Sequence, residues 1–449
     1  MTRTIEQFVC LGVLCSASTC VGQGMYTATD LGKLPYAFGS GAVAVNNSGH
    51  IIGYSEGTDG HSIAEMWAPG SQALPIVPSS YNAVNSWAAA INNSGQIAGY
   101  FNDRSGQQWP YLYNSKSGIF EVIGSNVDLR GQALGINQRG KVVGETQCCS
   151  VFTYDGSNVT LLPPFRDRFE LTLPDAINNF GDIAGESTFG GGSDLTAVIY
   201  NAAASSWIDV GPGQGPDSGL ASINNYGWAV GFSYNGETVR PLVVRDNRPT
   251  ILTNAPANGG LSAVNDAGLA VGGTFAYDIP SNAWVDLNTR IVNPGVIQVV
   301  SASGISPDGK IVGVGDVHVA GGVIEQHAFL LSPTPLYKAA VQPPINADGS
   351  SAFDANRGAL PVKFTLTENG SSSCTLPQAT ISVTLISAAA ADLIEMNTYK
   401  TPADNGSNFR TDACQYTYVL GTKGLGAGDY RVDIIVNWNV VGSGEFTLK

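Results

Sequence analysis

AINNSGQIAGYFNDRSGQQWPYLYNSKSGIFEVIG, residues 90–124, decides the fold. Two apolar runs flank the turn Asn92-Asn93-Ser94-Gly95. An Asn at the first turn position can hydrogen-bond the turn's own backbone, and a Gly at the fourth takes a positive φ without a Cβ clash. Residues 86–91 (SWAAAI) and 96–101 (QIAGYF) therefore read as a hairpin. WPYLYN (109–114) and IFEVIG (119–124) add two short strands, set apart by the loop 102–108 and the turn 115–118. Gly99 falls inside a strand. Glycine weakens a strand, so one that recurs there implies close approach of a neighbouring backbone.

It does recur. Working outward, the same pattern stands at AVNNSGHIIG (44–53), AINNSGQIAG (90–99), GINQRGKVVG (135–144), AINNFGDIAG (176–185), SINNYGWAVG (222–231), AVNDAGLAVG (263–272) and GISPDGKIVG (304–313). The turn glycines are Gly49, Gly95, Gly140, Gly181, Gly227, Gly268 and Gly309, and the spacing of the units is 41 to 46 residues. Four strands in such a unit match a propeller blade of about 40–50 residues, whereas β-solenoid repeats are shorter and immunoglobulin units longer. The ends of the run agree. The seventh unit stops after its third strand, HAFLLS (327–332), while YTATDLG (26–32) resembles the fourth strands WVDLN (284–288) and WIDVG (207–211). The first segment is thus expected to complete the last blade and remove an exposed edge. The expected fold is all-β: a seven-bladed β-propeller over residues 25–336, its N-terminal strand closing the last blade.

After Pro335 the period ends. LPVKFTLT (360–367), ATISVTLI (379–386), CQYTYVL (414–420), YRVDIIV (430–436) and GEFTLK (444–449) alternate with period two, which predicts a small β-sandwich over 337–449. SAAAADLI (387–394) is the one helix-like run.

Composition supports this reading and excludes others. Of 449 residues, 13% are charged and 43% hydrophobic, with 55 Gly and 23 Pro. Disorder needs more charge and fewer core formers, and helical bundles need Ala, Glu, Lys, Leu and Arg. The net charge of −14, with no basic run, would repel a phosphate backbone, so a nucleic-acid partner is not expected. No stretch approaches about 20 uninterrupted apolar residues, so no membrane span is expected either.

Residues 1–24 read as a secretory signal peptide. Arg3 precedes the apolar run 8–14, and small residues follow at 16–19. A lipoprotein reading centred on Cys20 would want an aliphatic residue where Ala17 stands. Cys10, Cys15 and Cys20 fall in or next to this segment, leaving Cys148, Cys149, Cys374 and Cys414. An even count in an exported chain points to disulfides. Cys374 and Cys414 lie 40 apart in one segment, and a bond between them would contribute about 4 kcal/mol in the chain-entropy model. Cys148 and Cys149 form either a vicinal bridge or two thiols. No partner at metal-ligand spacing accompanies them, so no metal is expected.

The A-x-N-x-x-G-x-x-x-G units, the Asp30-Leu31-Gly32 strand and His327-Ala328-Phe329 resemble the HAF repeats of secreted bacterial proteins over residues 26–336, about two-thirds of the chain. Only the last unit keeps His-Ala-Phe; the others carry versions such as WPYLYN and TAVIYN. The resemblance implies export to the extracellular space or cell surface, and no established activity. Pro361-Val362-Lys363-Phe364, the upstream Gln342-Pro343-Pro344 and the pair Cys374/Cys414 resemble a bacterial PxKF-type immunoglobulin-like module, which implies a spacing, display or adhesion role.

Chemistry is sparse. Gly-x-Ser-x-Gly, a phosphate loop and Asp-rich calcium loops are all missing, the run 190–192 (GGG) lacking a Lys and a following helix. His327 sits in a strand pattern and reads as a packed repeat residue; His318 is placed in a long loop, 314–326. Ligands of propellers usually meet the loops that enter the innermost strand and those between the second and third strands. These loops carry Tyr36, Tyr81, Trp87, Arg130, Arg166, Arg168 and Arg290, and aromatic and Arg side chains are common binding anchors. Tyr81, Trp87, Arg130, Arg168 and Arg290 are the candidate ligand residues. Asp167 and Glu170 are the one close acidic pair in these loops, as a glycosidase would need. The expected function is a secreted, non-catalytic binding or display protein without a cofactor, taking a glycan or a protein on its loop face. A polysaccharide hydrolase or lyase and a structural matrix protein are the alternatives.

Overall fold

The computed structural model describes residues 25–449 except 167–171, 189–193, 213–216, 320, 335–336, 347, 356–357, 369–370, 375, 377–378, 388–408, 423–424 and 437–438. The signal-peptide reading, the helix-like run beyond Ser387 and the glycines of 190–192 lie outside the described residues, as do Asp167, Arg168 and Glu170.

The architecture is all-β and follows the repeat. Six four-stranded antiparallel sheets follow one another in chain order. The second is typical, with Asn85–Ile91, Gln96–Asn102, Gln108–Asn114 and Ile119–Val122, against strands read from sequence at 86–91, 96–101, 109–114 and 119–124. A seventh sheet is made from both ends of the run. Gln298–Ile305, Ile311–His318 and Ile324–Thr334 take Met25–Gly32 as their outermost strand, with Asp30 opposite Phe329 and Gly32 opposite Ala328. The two motifs that carry the HAF resemblance are therefore neighbours in one sheet. The first strands of consecutive sheets touch, and that of the seventh touches that of the first, so the sheets form a closed ring in the manner of a β-propeller.

The core is divided by the ring. Successive residues of a strand point to opposite faces, so each second strand feeds two interfaces. Ile97 packs with the first sheet and Ala98 with the third; Ile183 packs with the third and Ala184 with the fifth. Each pair of neighbouring sheets shares one hydrophobic cluster, including the seventh and first, where Val312 and Ala328 meet Ala42, Ile51 and Trp67.

The turn chemistry is as the repeat implies. All seven turn glycines have φ between +73° and +90°. Asn92 Oδ1 accepts the Gln96 backbone N–H at 3.0 Å, and the Gly95 N–H closes on the Asn92 carbonyl at 3.0 Å. A Cβ on the strand glycine would overlap a carbonyl oxygen of the preceding segment at every one of the seven positions, for example Trp87 O at Gly99 and Leu173 O at Gly185. In the first to fifth and the seventh sheets the ladder slips by one residue beside that glycine, so the first strand bulges there.

One segment differs from the sequence reading. His318 ends a strand and is not in a loop over 314–326; Ile311–His318 and Ile324–Thr334 extend that hairpin past the repeat pattern. Val317 is buried there and pairs with Glu325 in the ladder.

Residues 337–449 form two further sheets. One holds Tyr337–Gln342, Ala359–Glu368, Gln415–Gly421 and Arg410–Asp412, with Ser371–Ser373 on its second strand. The other holds Ser351–Phe353, Asn439–Leu448, Gly428–Val436 and Ala379–Ser387. Phe364, Leu366 and Tyr416 from the first meet Val432, Ile434 and Phe446 from the second in one cluster, so the two sheets sandwich a common core. Cys374 and Cys414 are disulfide-bonded, with Cα atoms 4.5 Å apart, whereas Cys148 and Cys149 are exposed free thiols.

Candidate functional site: the connection side of the ring

The ring has two ends. One carries the Asn-x-x-Gly turns; the other carries the connections between sheets and the loops between second and third strands. The sequence placed its ligand residues on the second end, and the structure allows each to be located.

Trp87 lies on the first strand of the second sheet and stacks on Tyr100, with centroids 4.8 Å apart and planes at 20°. Its backbone oxygen accepts the Tyr111 hydroxyl at 2.9 Å, which fixes the strand beneath the pair. Tyr81, on the short turn Ser79–Tyr81, packs against Phe101 and Phe120 with centroids 5.5 and 4.9 Å away. It caps an aromatic cluster and remains exposed. Arg130 pairs with Asp128 at 3.1 Å and lies over the Trp109 ring, 5.4 Å from its centroid. Tyr81, Trp87 and Arg130 thus gather around the second sheet. Arg290 stands apart, at the end of Leu287–Arg290 in the connection from the sixth sheet to the seventh, and its Nε is buried without a hydrogen-bond partner. Arg166 pairs with Asp209 at 2.8 Å.

The structure adds residues that loop-based reading missed. The position after the strand glycine holds Tyr54, Tyr100, Glu145, Glu186 and Phe232 in the first five sheets. Asp175 is the bulged residue of the fourth sheet and the one exposed residue of its strand. Burial first, then the charges of Glu186 and Glu145, push the Asp175 carboxyl up to about 8. Burial raises Glu145; burial and the nearby Asp217 raise Glu186. Asp175 is open to solvent yet enclosed by protein, because it sits on an innermost strand of the ring; water there moderates the shift without removing the repulsion. Perturbed carboxylates on two successive sheets, the third and the fourth, form the most unusual electrostatic feature of this end among the described residues. They escaped the sequence reading because they lie within strands. The available signal was a charged residue inside an apolar strand pattern, as in LPDAI and AGES.

His327 is buried and sits between two carboxylates, Nδ1 to Asp30 Oδ1 at 2.9 Å and Nε2 to Glu325 Oε2 at 3.0 Å, with Lys33 on Glu325 at 2.7 Å. It ties the N-terminal strand to the seventh sheet. No group of three or more His, Cys, Asp or Glu placed to hold a metal ion occurs among the described residues, and none of their helices is long and apolar enough to cross a membrane.

No family model matches the chain. No curated protein matches it either. Solved structures do. An oligogalacturonate lyase in complex with manganese aligns with a TM-score of 0.43 and 13% identity, over 64% of this chain and 86% of that one. YCF48 bound to D1 peptide aligns with a TM-score of 0.42 and 12% identity, over 70% of this chain and 98% of that one. TolB from Acinetobacter baumannii aligns with a TM-score of 0.35 and 14% identity, over 66% of this chain and 64% of that one.

Proposed function

We infer that the chain is an exported seven-bladed β-propeller of the HAF-repeat kind, followed by an immunoglobulin-like module, and that it is a non-catalytic binding or surface-display protein. The ligand is a glycan or a protein segment, met on the connection side. One observation carries this reading. The stacked Trp87–Tyr100 pair and the crowded carboxylates Glu145, Asp175 and Glu186 lie on adjacent sheets at the same level, one residue beyond the strand glycine or beside the bulge. An aromatic surface next to carboxylates without an ion-pair partner among the described residues suits a ligand rich in hydrogen-bond donors or carrying positive charge. The module of residues 337–449 would space or display the ring.

The test is glycan-array and pull-down binding by the full chain, followed by calorimetry. A Trp87→Ala, Arg130→Ala double variant is expected to weaken binding at least tenfold. Unchanged affinity would remove the site from this end.

A second reading rests on Asp175. A carboxyl raised by burial and by the charges of Glu186 and Glu145 is shifted toward its protonated form, as a general acid of a polysaccharide hydrolase or lyase requires. That reading predicts turnover of acidic or neutral polysaccharides that Asp175→Asn abolishes. Binding without turnover favours the first reading, and assembly without any soluble ligand favours a matrix role.

A further inference from the structure

The turn end of the ring holds a recess that the reading above does not use. Turns and strand ends of the third to seventh sheets line a recess of about 130 Å³ that is open to solvent. Ile177, Ile223 and Val264 form an apolar throat, and the second residues of the turns, Gln138 and Asn225 among them, form a rim of carboxamides. The rim is fixed before any ligand arrives. Gln138 Oε1 accepts the Asn93 backbone N–H at 2.8 Å, and Asn225 donates both its backbone N–H and its Nδ2 to Asp266, each at 2.8 Å. Asp266 is the one charged residue lining the recess among those described, and Asn225 already engages both of its oxygens.

Two exposed aromatic side chains stand in the same turns. Phe180 and Tyr226 occupy the third turn position in the adjacent fourth and fifth sheets and are 65% and 41% exposed. The equivalent residues elsewhere are Ser48, Ser94, Arg139, Ala267 and Asp308. Large exposed apolar side chains beside a formed recess mark a contact surface. A carboxamide both donates and accepts, so a rim of them, with Asp266 already bonded to Asn225, matches hydroxyl groups. A flat ring matches the C–H face of a pyranose.

We propose that this turn-side mouth binds the terminal unit of a neutral saccharide, stacked on Phe180 or Tyr226 and hydrogen-bonded to the carboxamide rim. The site is separate from the connection-side site and does not depend on it.

Saturation-transfer NMR and calorimetry on the full chain, with a panel of cellotriose, maltotriose, galactobiose and diacetylchitobiose, test the proposal. At least one is expected to bind, with affinity falling tenfold or more in Phe180→Ala or Tyr226→Ala and holding within twofold in Ile119→Ala, an exposed position on the outermost strand Ile119–Val122. Both aromatic positions are exposed, so the variants should fold, and unchanged thermal melting checks this. Failure of every panel sugar to bind overturns the proposal. So does binding that both aromatic variants leave unmoved, or preferential binding of an unglycosylated peptide library. Loss of sugar binding in Trp87→Ala alone would overturn this site while supporting the connection-side one.

Discussion

The side-chain amide of Asn92 donates to the backbone oxygen of Asn137, 3.1 Å away and 45 residues along the chain. The same bond joins Asn46 to Asn92, Asn137 to Asn178, Asn178 to Asn224, Asn224 to Asn265 and Asn265 to Ser306. Each Asn therefore shapes its own turn and clasps the next. At the seventh joint Ser306 stands in place of Asn; its hydroxyl donates to Asp308, and the Lys310 ammonium reaches the Asn47 backbone oxygen at 3.4 Å instead. The collar is thus continuous over six joints and differs at the joint next to the closing strand.

From this collar follows the first prediction. Asn137→Ala removes the bond to Asn178 and the acceptor for the Arg139 and Lys141 N–H groups. Each bond contributes about 1 kcal/mol net, and a buried group left unpaired costs more. The variant should lose roughly 2–4 kcal/mol by denaturant unfolding. A loss below about 0.5 kcal/mol would mean that the collar follows from the fold without supporting it.

The glycines separate two physical costs. At Gly185 a Cβ would overlap the Leu173 carbonyl oxygen, whereas at Gly227, with φ +73°, it would meet nothing within 4 Å. Gly185→Ala must move backbone and is expected to cost about 2–4 kcal/mol, as for other overpacked positions. Gly227→Ala pays only for a left-handed conformation, about 1 kcal/mol. Equal melting temperatures for the two variants would contradict this assignment of roles.

These positions also show what the sequence exposed and what it hid. The turn Asn, the turn Gly and the strand Gly were legible because their causes are local or recur with the period. The clasp from Asn92 to Asn137 was not, because its acceptor lies a whole unit away and depends on how sheets stack. Asp175, Glu145 and Glu186 were hidden for the same reason. Each is unremarkable in its own strand and becomes unusual only when the ring brings the carboxylates of two neighbouring sheets together. The packing of Tyr81 on Phe101 and Phe120 was hidden too, because nothing local shows that they lie beneath it.

Glu65 predicts a pH dependence. It faces Gly53 across the ladder, where other sheets place Tyr111, Phe152 or Phe329, and it is fully buried. Ser55 donates to one of its oxygens at 2.8 Å, and the other is buried without a partner. Burial pushes its carboxyl from 4.5 up to about 7. Between those values the folded chain holds a proton that the unfolded chain has lost, so stability falls as pH rises, by roughly 3 kcal/mol in the limit, and then levels off. Glu65→Gln should keep the Ser55 contact and flatten the profile between pH 4.5 and 7. An unchanged slope in the variant would assign the dependence to other groups.

The closing strand sets the last prediction. Met25–Gly32 buries Tyr26 and Ala28 in the cluster between the sixth and seventh sheets, and Leu31 O accepts the Trp67 Nε1–H at 2.9 Å in the first. Asp30 meets His327 in the same sheet. A chain beginning at Lys33 loses all of these together and leaves Ile324–Thr334 as an exposed edge, which promotes association as well as instability. Two lost core side chains alone amount to several kcal/mol at about 1.5–3 kcal/mol for a large one, so melting should fall by 10 °C or more. His327→Asn removes only the double carboxylate contact and should cost about 1–3 kcal/mol. A synthetic peptide of residues 25–32 added to the truncated chain should restore part of the loss in a concentration-dependent way, since it binds the folded ring alone. Truncation that leaves melting unchanged would show that the ring does not need its first strand, and a peptide without effect on a destabilised ring would show that the loss arises elsewhere than at the open edge.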